Sequence, residues 1–344
     1  MRVGAATTCG TDLKVWRRGG HARMLKPPTL FGHEAAGEIV AIGHGVTHWK
    51  VGDRVVANNS APCMTCFFCQ KEEYSLCQKL LFNNGTFAEY LNIPAAIVQH
   101  NLLPIPDGVP DALASMTEPL ACVLHGAARS HVQPGDRIVV LGDGAIGLMF
   151  VAALASGQGE WFGGQRTPGS FRAASPTEKQ ATAVSGQPFT EVMLFGGSEQ
   201  RLQLGKTLGA AKTFNYRQVE NVPGLVKELT DGWGADIVIE ATGVPAVWEQ
   251  AIACARPGAT VNVFGGCPRD TSITIGTEQL HYSELTVKGV FHNTPTHVRA
   301  ALKLLASRVL PFEQLISEHQ PLTNLGQVFE AMKQRKVVKV AIVP

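Results

Sequence analysis

The chain has 344 residues, long enough for two domains with separate cores. A 45% hydrophobic and 17% charged composition is that of an ordinary folded protein, and a net charge of +2 with no Lys/Arg run excludes the dense basic face that nucleic acid or a membrane surface would demand. No apolar stretch reaches bilayer length and no basic-then-apolar signal opens the chain, so a cytoplasmic protein with its 8 cysteines reduced is expected.

From Met1 to about Ala121 short apolar runs such as Gly37–Gly43 and Val51–Val56 alternate with Gly, Pro, Asn and Asp, an all-β texture with tight turns. Cys9-Gly10-Thr11-Asp12 and Gly32-His33-Glu34 fall within it. A thiolate, an imidazole and a carboxylate are the ligand types of an open zinc site, but each piece alone reads equally well as an ordinary small buried Cys or a chance His-Glu pair. Cys63, Cys66, Cys69 and Cys77 follow in a C-x2-C-x2-C-x7-C arrangement. Four thiolates so spaced can wrap one tetrahedral zinc and leave no open position, which makes that site structural. Two disulfides suit a reducing compartment poorly, and the spacing is not that of a ferredoxin cluster.

After Pro134-Gly135-Asp136 the texture changes. Ile138–Leu141 reads as a buried strand, a glycine-rich turn follows, and Leu148–Ala155 reads as a helix. Strands at Val192–Phe195, Asp236–Glu240 and Thr260–Phe264 alternate with helices at Ser198–Leu208 and Ala246–Ala255, which implies βαβ units and a parallel sheet. The turn Gly142-Asp143-Gly144-Ala145-Ile146-Gly147 has the strand-before, helix-after context of a dinucleotide loop; without a nucleotide the same glycines make a plain β-turn. Residues 156–188 are rich in Gly, Ser, Thr, Gln and Pro, and read as an exposed insertion between a helix and the next strand. A helix at His297–Ser307 and a strand at Val337–Val343 complete the chain.

Taken together, the Cys9 and His33 motifs, the four-cysteine loop, Glu118-Pro119-Leu120 and the Gly142–Gly147 loop resemble, in this order, the zinc-containing medium-chain dehydrogenases, and most of all their sorbitol, threonine and polyol branch. The resemblance implies an α/β fold in two domains. A GroES-like, β-rich catalytic domain comprises 1–121 and 271–344. A Rossmann-type domain with a doubly wound parallel sheet comprises 122–270. It further implies two zinc ions per chain and NAD(P), a small-molecule alcohol or polyol substrate, and a homo-oligomer, dimer or tetramer. Cys9 and His33 correspond to ligands of the catalytic zinc, with Glu34 and Glu118 binding it directly, through water or in alternation. Zinc-bound substrate hydroxyl becomes acidic enough to lose its proton before hydride leaves for the nicotinamide. Thr11 stands where the proton is accepted, and Lys14 occupies the position of the histidine that commonly ends the relay. Compared with the family, the chain begins inside an early strand, so about one or two strands of the catalytic domain are expected to be missing.

For the cofactor, the resemblance adds Ile146 beside it, and Phe264 and Gly265 closing over it. Gly196 falls where NAD-specific domains carry an acid, with Arg201 nearby, so NADP is expected to serve at least as well as NAD. Two rival readings are a zinc-free quinone or enoyl reductase of the same superfamily, and a non-catalytic relic that keeps only the structural zinc.

Overall fold

The computed structural model describes residues 1–19, 25, 28–156 and 190–344. The segment read as an insertion lies outside the described residues, except Ser156. Two compact units emerge, Met1–Val123 with Phe291–Pro344, and Leu124–Val290.

In the first unit, short Ala- and Val-rich runs pair into a sheet of order Ile316–Pro321, Lys339–Val343, Arg2–Thr7, Ala35–Glu38, Arg54–Ala57 and Leu102–Pro104. All neighbours are antiparallel except Ile316–Pro321 with Lys339–Val343. A small hairpin of Ser60–Ala61 with Leu81–Phe82 lies at the base of the four-cysteine loop. The run Gly37–Gly43 contributes strand only as far as Glu38. The all-β expectation for this region also needs amending, because helices form at Gly10–Arg18, Ala95–His100, Asp111–Ala114 and Thr117–Arg129. The first has a local cause. Cys9 is its N-cap: its sulfur accepts from the Thr11 N–H at 3.5 Å while Asp12 accepts the Cys9 N–H at 2.9 Å, a reciprocal capping box. Gly19, at φ 75°, ends the helix with its N–H on Val15 O.

The second unit is a fully parallel sheet of order Thr286–Gly289, Ala255–Val263, Ala235–Glu240, Arg137–Leu141, Glu191–Gly196 and Lys212–Asn215. Numbered along the chain this is 6-5-4-1-2-3, the doubly wound order whose reversal between Arg137–Leu141 and Ala235–Glu240 makes a crevice at the strand ends. Ile138, Val139, Val140 and Leu141 are all buried, as strands covered on both faces must be. The helix Ala145–Ala155 is buried on every side from Gly147 to Leu154, which is why its sequence is apolar without a polar face. Because Thr286–Gly289 extends this sheet, the chain returns to the first unit at Phe291, beyond the boundary expected at 271. Among the described residues no helix is long and apolar enough to cross a membrane.

Candidate metal centres and nucleotide loop

The four-cysteine loop gathers its sulfurs. Cys63 and Cys69 lie 4.0 Å apart, Cys66 and Cys69 3.6 Å, and Cys66 and Cys77 3.9 Å. These separations rule out disulfides, and all four cysteines are free thiols. A zinc with bonds of about 2.3 Å sets tetrahedral sulfur–sulfur edges of roughly 3.8 Å, so the donor set fits that ion. Backbone and side-chain hydrogen bonds from Thr65 bring the Cys63 thiol down to about 5. Burial pushes Cys69 up to about 12, a thiol that needs a bound cation to ionise.

The second cluster is assembled from distant segments of the same unit. The Cys9 sulfur, His33 and Glu34 present ligand atoms within 4.8 Å of one another, and Glu118, Cys122 and His292 form a comparable group. Cys9 is placed by its helix cap. Buried Asp12 sets His33: its Oδ1 lies 3.0 Å from Nδ1, though off hydrogen-bond alignment, so Nε2 is the ring nitrogen left for a metal. Burial opposes charge on this imidazole, but Asp12 and then Cys9 outweigh it and hold the pKa well above the ordinary histidine value. Glu34 Oε2 is held by Lys339 Nζ at 2.6 Å and by the Thr7 hydroxyl, whereas Glu34 Oε1 is buried without a hydrogen-bond partner. A buried, unpartnered carboxylate oxygen beside a thiol and an imidazole suits a cation.

Glu118 and Cys122 lie four apart on the helix Thr117–Arg129 and so share a face. Glu118 Oε1 has Cys122 Sγ at 3.6 Å, Asn293 Nδ2 at 3.5 Å and His292 Nδ1 at 3.8 Å. Burial first, and the charge of Glu34 next among the raising effects, push its carboxyl up to about 7 against the pull of His33 and Lys339. Around it, Asn58 Nδ2 donates to Asn293 Oδ1 at 3.2 Å, and Ser60 Oγ lies 2.5 Å from His292 Nε2. Thr11 and Lys14 are one turn apart on Gly10–Arg18, both half-buried, and the Thr11 N–H is turned to the Cys9 sulfur.

Sequence reasoning did not single out Thr7, Asn58, Cys122, His292, Asn293 or Lys339, and it assigned Asp12 no part. Two signals were available. Asp12 stands three residues after Cys9, which is capping-box spacing, and Lys339 is a lone charge in the apolar run Val337–Val343, which burial obliges to find a partner.

In the second unit Gly142 has φ +123°, and a Cβ on Gly147 would lie 1.8 Å from Gly142 O. Above Gly144, at the N-terminus of Ala145–Ala155, a Cβ would meet nothing within 4 Å. A tight turn, open space and the free N–H groups of a helix start fit a pyrophosphate. Ile146 is half-buried beside it. Phe264 and Gly265 turn back onto the neighbouring strand end, both N–H groups donating to Glu240 O at 3.0 and 2.9 Å, and Phe264 stacks edge-on against Phe150. Gly196 and Arg201 are buried at the end of Glu191–Gly196 and in the helix after it. Gly147→Ala is therefore expected to shift the loop, lowering stability by about 1–3 kcal/mol and weakening dinucleotide binding, as read by melting curves and NADH fluorescence titration.

Clustered metal donors in one unit and a dinucleotide loop in the other are the working parts of a metal-dependent dehydrogenase. Residues 1–107 match the alcohol dehydrogenase GroES-like domain and residues 180–307 the zinc-binding dehydrogenase domain. The chain is 31% identical over 352 residues to sorbitol dehydrogenase of Halalkalibacterium halodurans, covering 100% of this chain and 91% of that protein. It is 31% identical over 358 residues to L-threonine 3-dehydrogenase of Symbiobacterium thermophilum, covering 100% and 90%. Alcohol dehydrogenase TADH from Thermus sp. ATN1 superposes with a TM-score of 0.80 at 26% identity, over 99% of this chain and 91% of that one. For 2R,3R-butanediol dehydrogenase from Bacillus subtilis the TM-score is 0.78 at 25% identity, over 100% and 91%. The chain belongs to the zinc-containing medium-chain dehydrogenase/reductase (alcohol dehydrogenase) family. It is an oxidoreductase of secondary alcohols that uses zinc and NAD(P).

Proposed function

We propose that the chain oxidises, reversibly, a secondary hydroxyl of a polyol, sugar derivative or hydroxy-amino acid, with Cys9 and His33 holding the catalytic zinc and the carboxylates of Glu34 and Glu118 binding it directly, through water or in alternation. The observation that carries this reading is the convergence of Cys9 with the neighbouring pair His33 and Glu34 within 4.8 Å, one donor of each chemical kind brought together from two separate segments. Glu34 keeps Oε1 for the metal while Lys339 engages Oε2, and the buried carboxyl of Glu118 is the alternating partner. When bound, zinc acidifies the substrate hydroxyl. The chain's own groups do the rest: Asp12 keeps His33 oriented, and Thr11 accepts the hydroxyl proton and passes it towards Lys14. Asn58, Asn293, Ser60 and His292 form a polar wall beside Glu118, which suits a substrate with several hydroxyl or amino groups rather than a simple apolar alcohol.

The four-cysteine loop holds the second, structural zinc. The two domains follow the compact units, 1–123 with 291–344 and 124–290, the return lying beyond 271 because Thr286–Gly289 belongs to the parallel sheet. Eight free thiols suit the cytoplasm. The edge strand Thr286–Gly289 carries unpaired backbone groups that a second copy of the chain would cover in a homo-oligomer.

A screen of polyols, sugar alcohols and threonine, followed by nicotinamide absorbance alongside elemental analysis, tests the proposal. Two zinc ions per chain with turnover on a polyhydroxy or amino-hydroxy substrate is the expected result. Turnover that survives metal removal would point to a zinc-free reductase, and one zinc without turnover to a non-catalytic protein.

A further inference from the structure

The acid that normally marks an NAD site stands at the end of the second strand of the sheet, where this chain has Gly196. A carboxylate nevertheless occupies that place. Asp143, from the loop after the first strand, is buried and directs Oδ2 at the backbone N–H groups of Gly197 and Ser198, at 2.8 and 2.9 Å. The fit is close: a Cβ built on Gly196 would lie 2.5 Å from Asp143 Cβ and 2.8 Å from both its Cγ and Oδ2. The glycine at 196 is thus explained by what covers it. Gly197 is covered likewise, its Cβ falling 2.7 Å from the Tyr216 ring.

The two amides that Asp143 takes lead into the helix Glu199–Thr207, whose N-cap Ser198 makes no side-chain cap. Such strand-end amides are the donors an incoming phosphate would use. Here they are engaged by a carboxylate that also repels a second anion. Glu199, which accepts from Asn215 Nδ2 at 2.6 Å, adds a second negative charge in the first turn of the same helix.

We propose that Asp143 is the ribose-reading acid of this nucleotide site and selects NAD over NADP. It does so by offering its carboxylate to ribose hydroxyls and by withholding the Gly197 and Ser198 amides from a 2′-phosphate. The proposal rests on nicotinamide dinucleotide binding at the Gly142–Gly147 loop. It reverses the expectation drawn from the empty acidic position at Gly196.

The test is direct binding. Titration of the zinc-loaded protein by nicotinamide fluorescence gives dissociation constants for NADH and NADPH without turnover. NADH is expected to bind at least about tenfold more tightly, the scale of one unit-charge repulsion in a partly buried site. Asp143→Asn is isosteric, keeps one acceptor oxygen and removes the charge, so the preference for NADH over NADPH should fall at least about tenfold, as NADPH escapes the repulsion and NADH loses the charged acceptor for its ribose hydroxyls. Melting curves report whether this variant folds, and Asp143→Ser replaces it if it does not. Wild type binding NADPH as tightly as NADH, or a folded variant with an unchanged ratio, would overturn the proposal. Binding of neither dinucleotide would instead overturn the cofactor reading on which it rests.

Discussion

Cys66→Ser should cost the protein its cooperative thermal transition, whereas Cys9→Ser should leave the transition nearly intact and abolish turnover. The first change removes one of four thiolates from a loop whose described surroundings are short: a four-residue helix, Phe67–Gln70, and a single turn at Tyr74–Leu76. Little else holds that loop, so metal-binding free energy on the order of 10 kcal/mol is folding free energy there. The second change is different for a reason visible in the helix cap. The Cys9 sulfur accepts the Thr11 N–H, and serine is a better N-cap than cysteine, so Gly10–Arg18 keeps its start. What is lost is the thiolate ligand, with turnover falling by roughly a hundredfold or more as several kcal/mol of charge stabilisation disappears. Elemental analysis should find one zinc in Cys9→Ser. Equal loss of stability in the two variants would falsify the division of labour.

A second large effect is expected at Lys339→Met. Lys339 and Glu34 are both almost wholly buried, and Nζ bridges Glu34 Oε2 at 2.6 Å and Thr8 O at 2.7 Å. Removing the cation strands a carboxylate in the interior, which costs about 3–5 kcal/mol. Burial opposes the ammonium, but Glu34 first and Cys9 next raise its pKa above the ordinary lysine value. A raised lysine contributes stability that is complete below about 10.5 and fades only as pH climbs through the higher folded value. The loss in Lys339→Met should therefore be constant across neutral pH. Adding Glu34→Gln should recover part of it, because the stranded charge is then gone. Chemical denaturation of the single and double variants measures both; an unchanged midpoint in Lys339→Met would show the pair to be dispensable.

The parallel sheet was the most legible part of the chain. Runs such as Ile138–Leu141 and Asp236–Glu240 are apolar without alternation because helices cover both faces, and their positions hold to within a residue or two. The four-cysteine loop was equally plain, since all its ligands lie within one short segment. In the first unit the helix Pro295–Ser307 was legible from His297 onward, but the helices of the N-terminal segment were not. Gly10–Arg18 is capped by a cysteine, an unusual capping residue, and Thr117–Arg129 starts in Thr-Glu-Pro, which reads as a turn. The partners of Glu34 and Glu118 were hidden for another reason. Lys339 reaches Glu34 across 305 residues and Asn293 reaches Glu118 across 175, distances over which no local pattern survives. Asp143 was overlooked because a glycine motif draws attention to its glycines and not to the variable residue between them.

The contact between Asp143 and Gly196 also constrains how this sequence can drift. An aspartate at 196 collides with the one at 143, so the two positions cannot both be acidic, and their substitutions are epistatic. Replacement of Asp143 by a small residue has to come first; only then does an acid at 196 find room. The intermediate, with neither acid, is the form most tolerant of NADP. A lineage moving its recognition acid from the loop to the strand end thus passes through relaxed cofactor choice, and that genotype is a natural starting point for selecting a change of coenzyme.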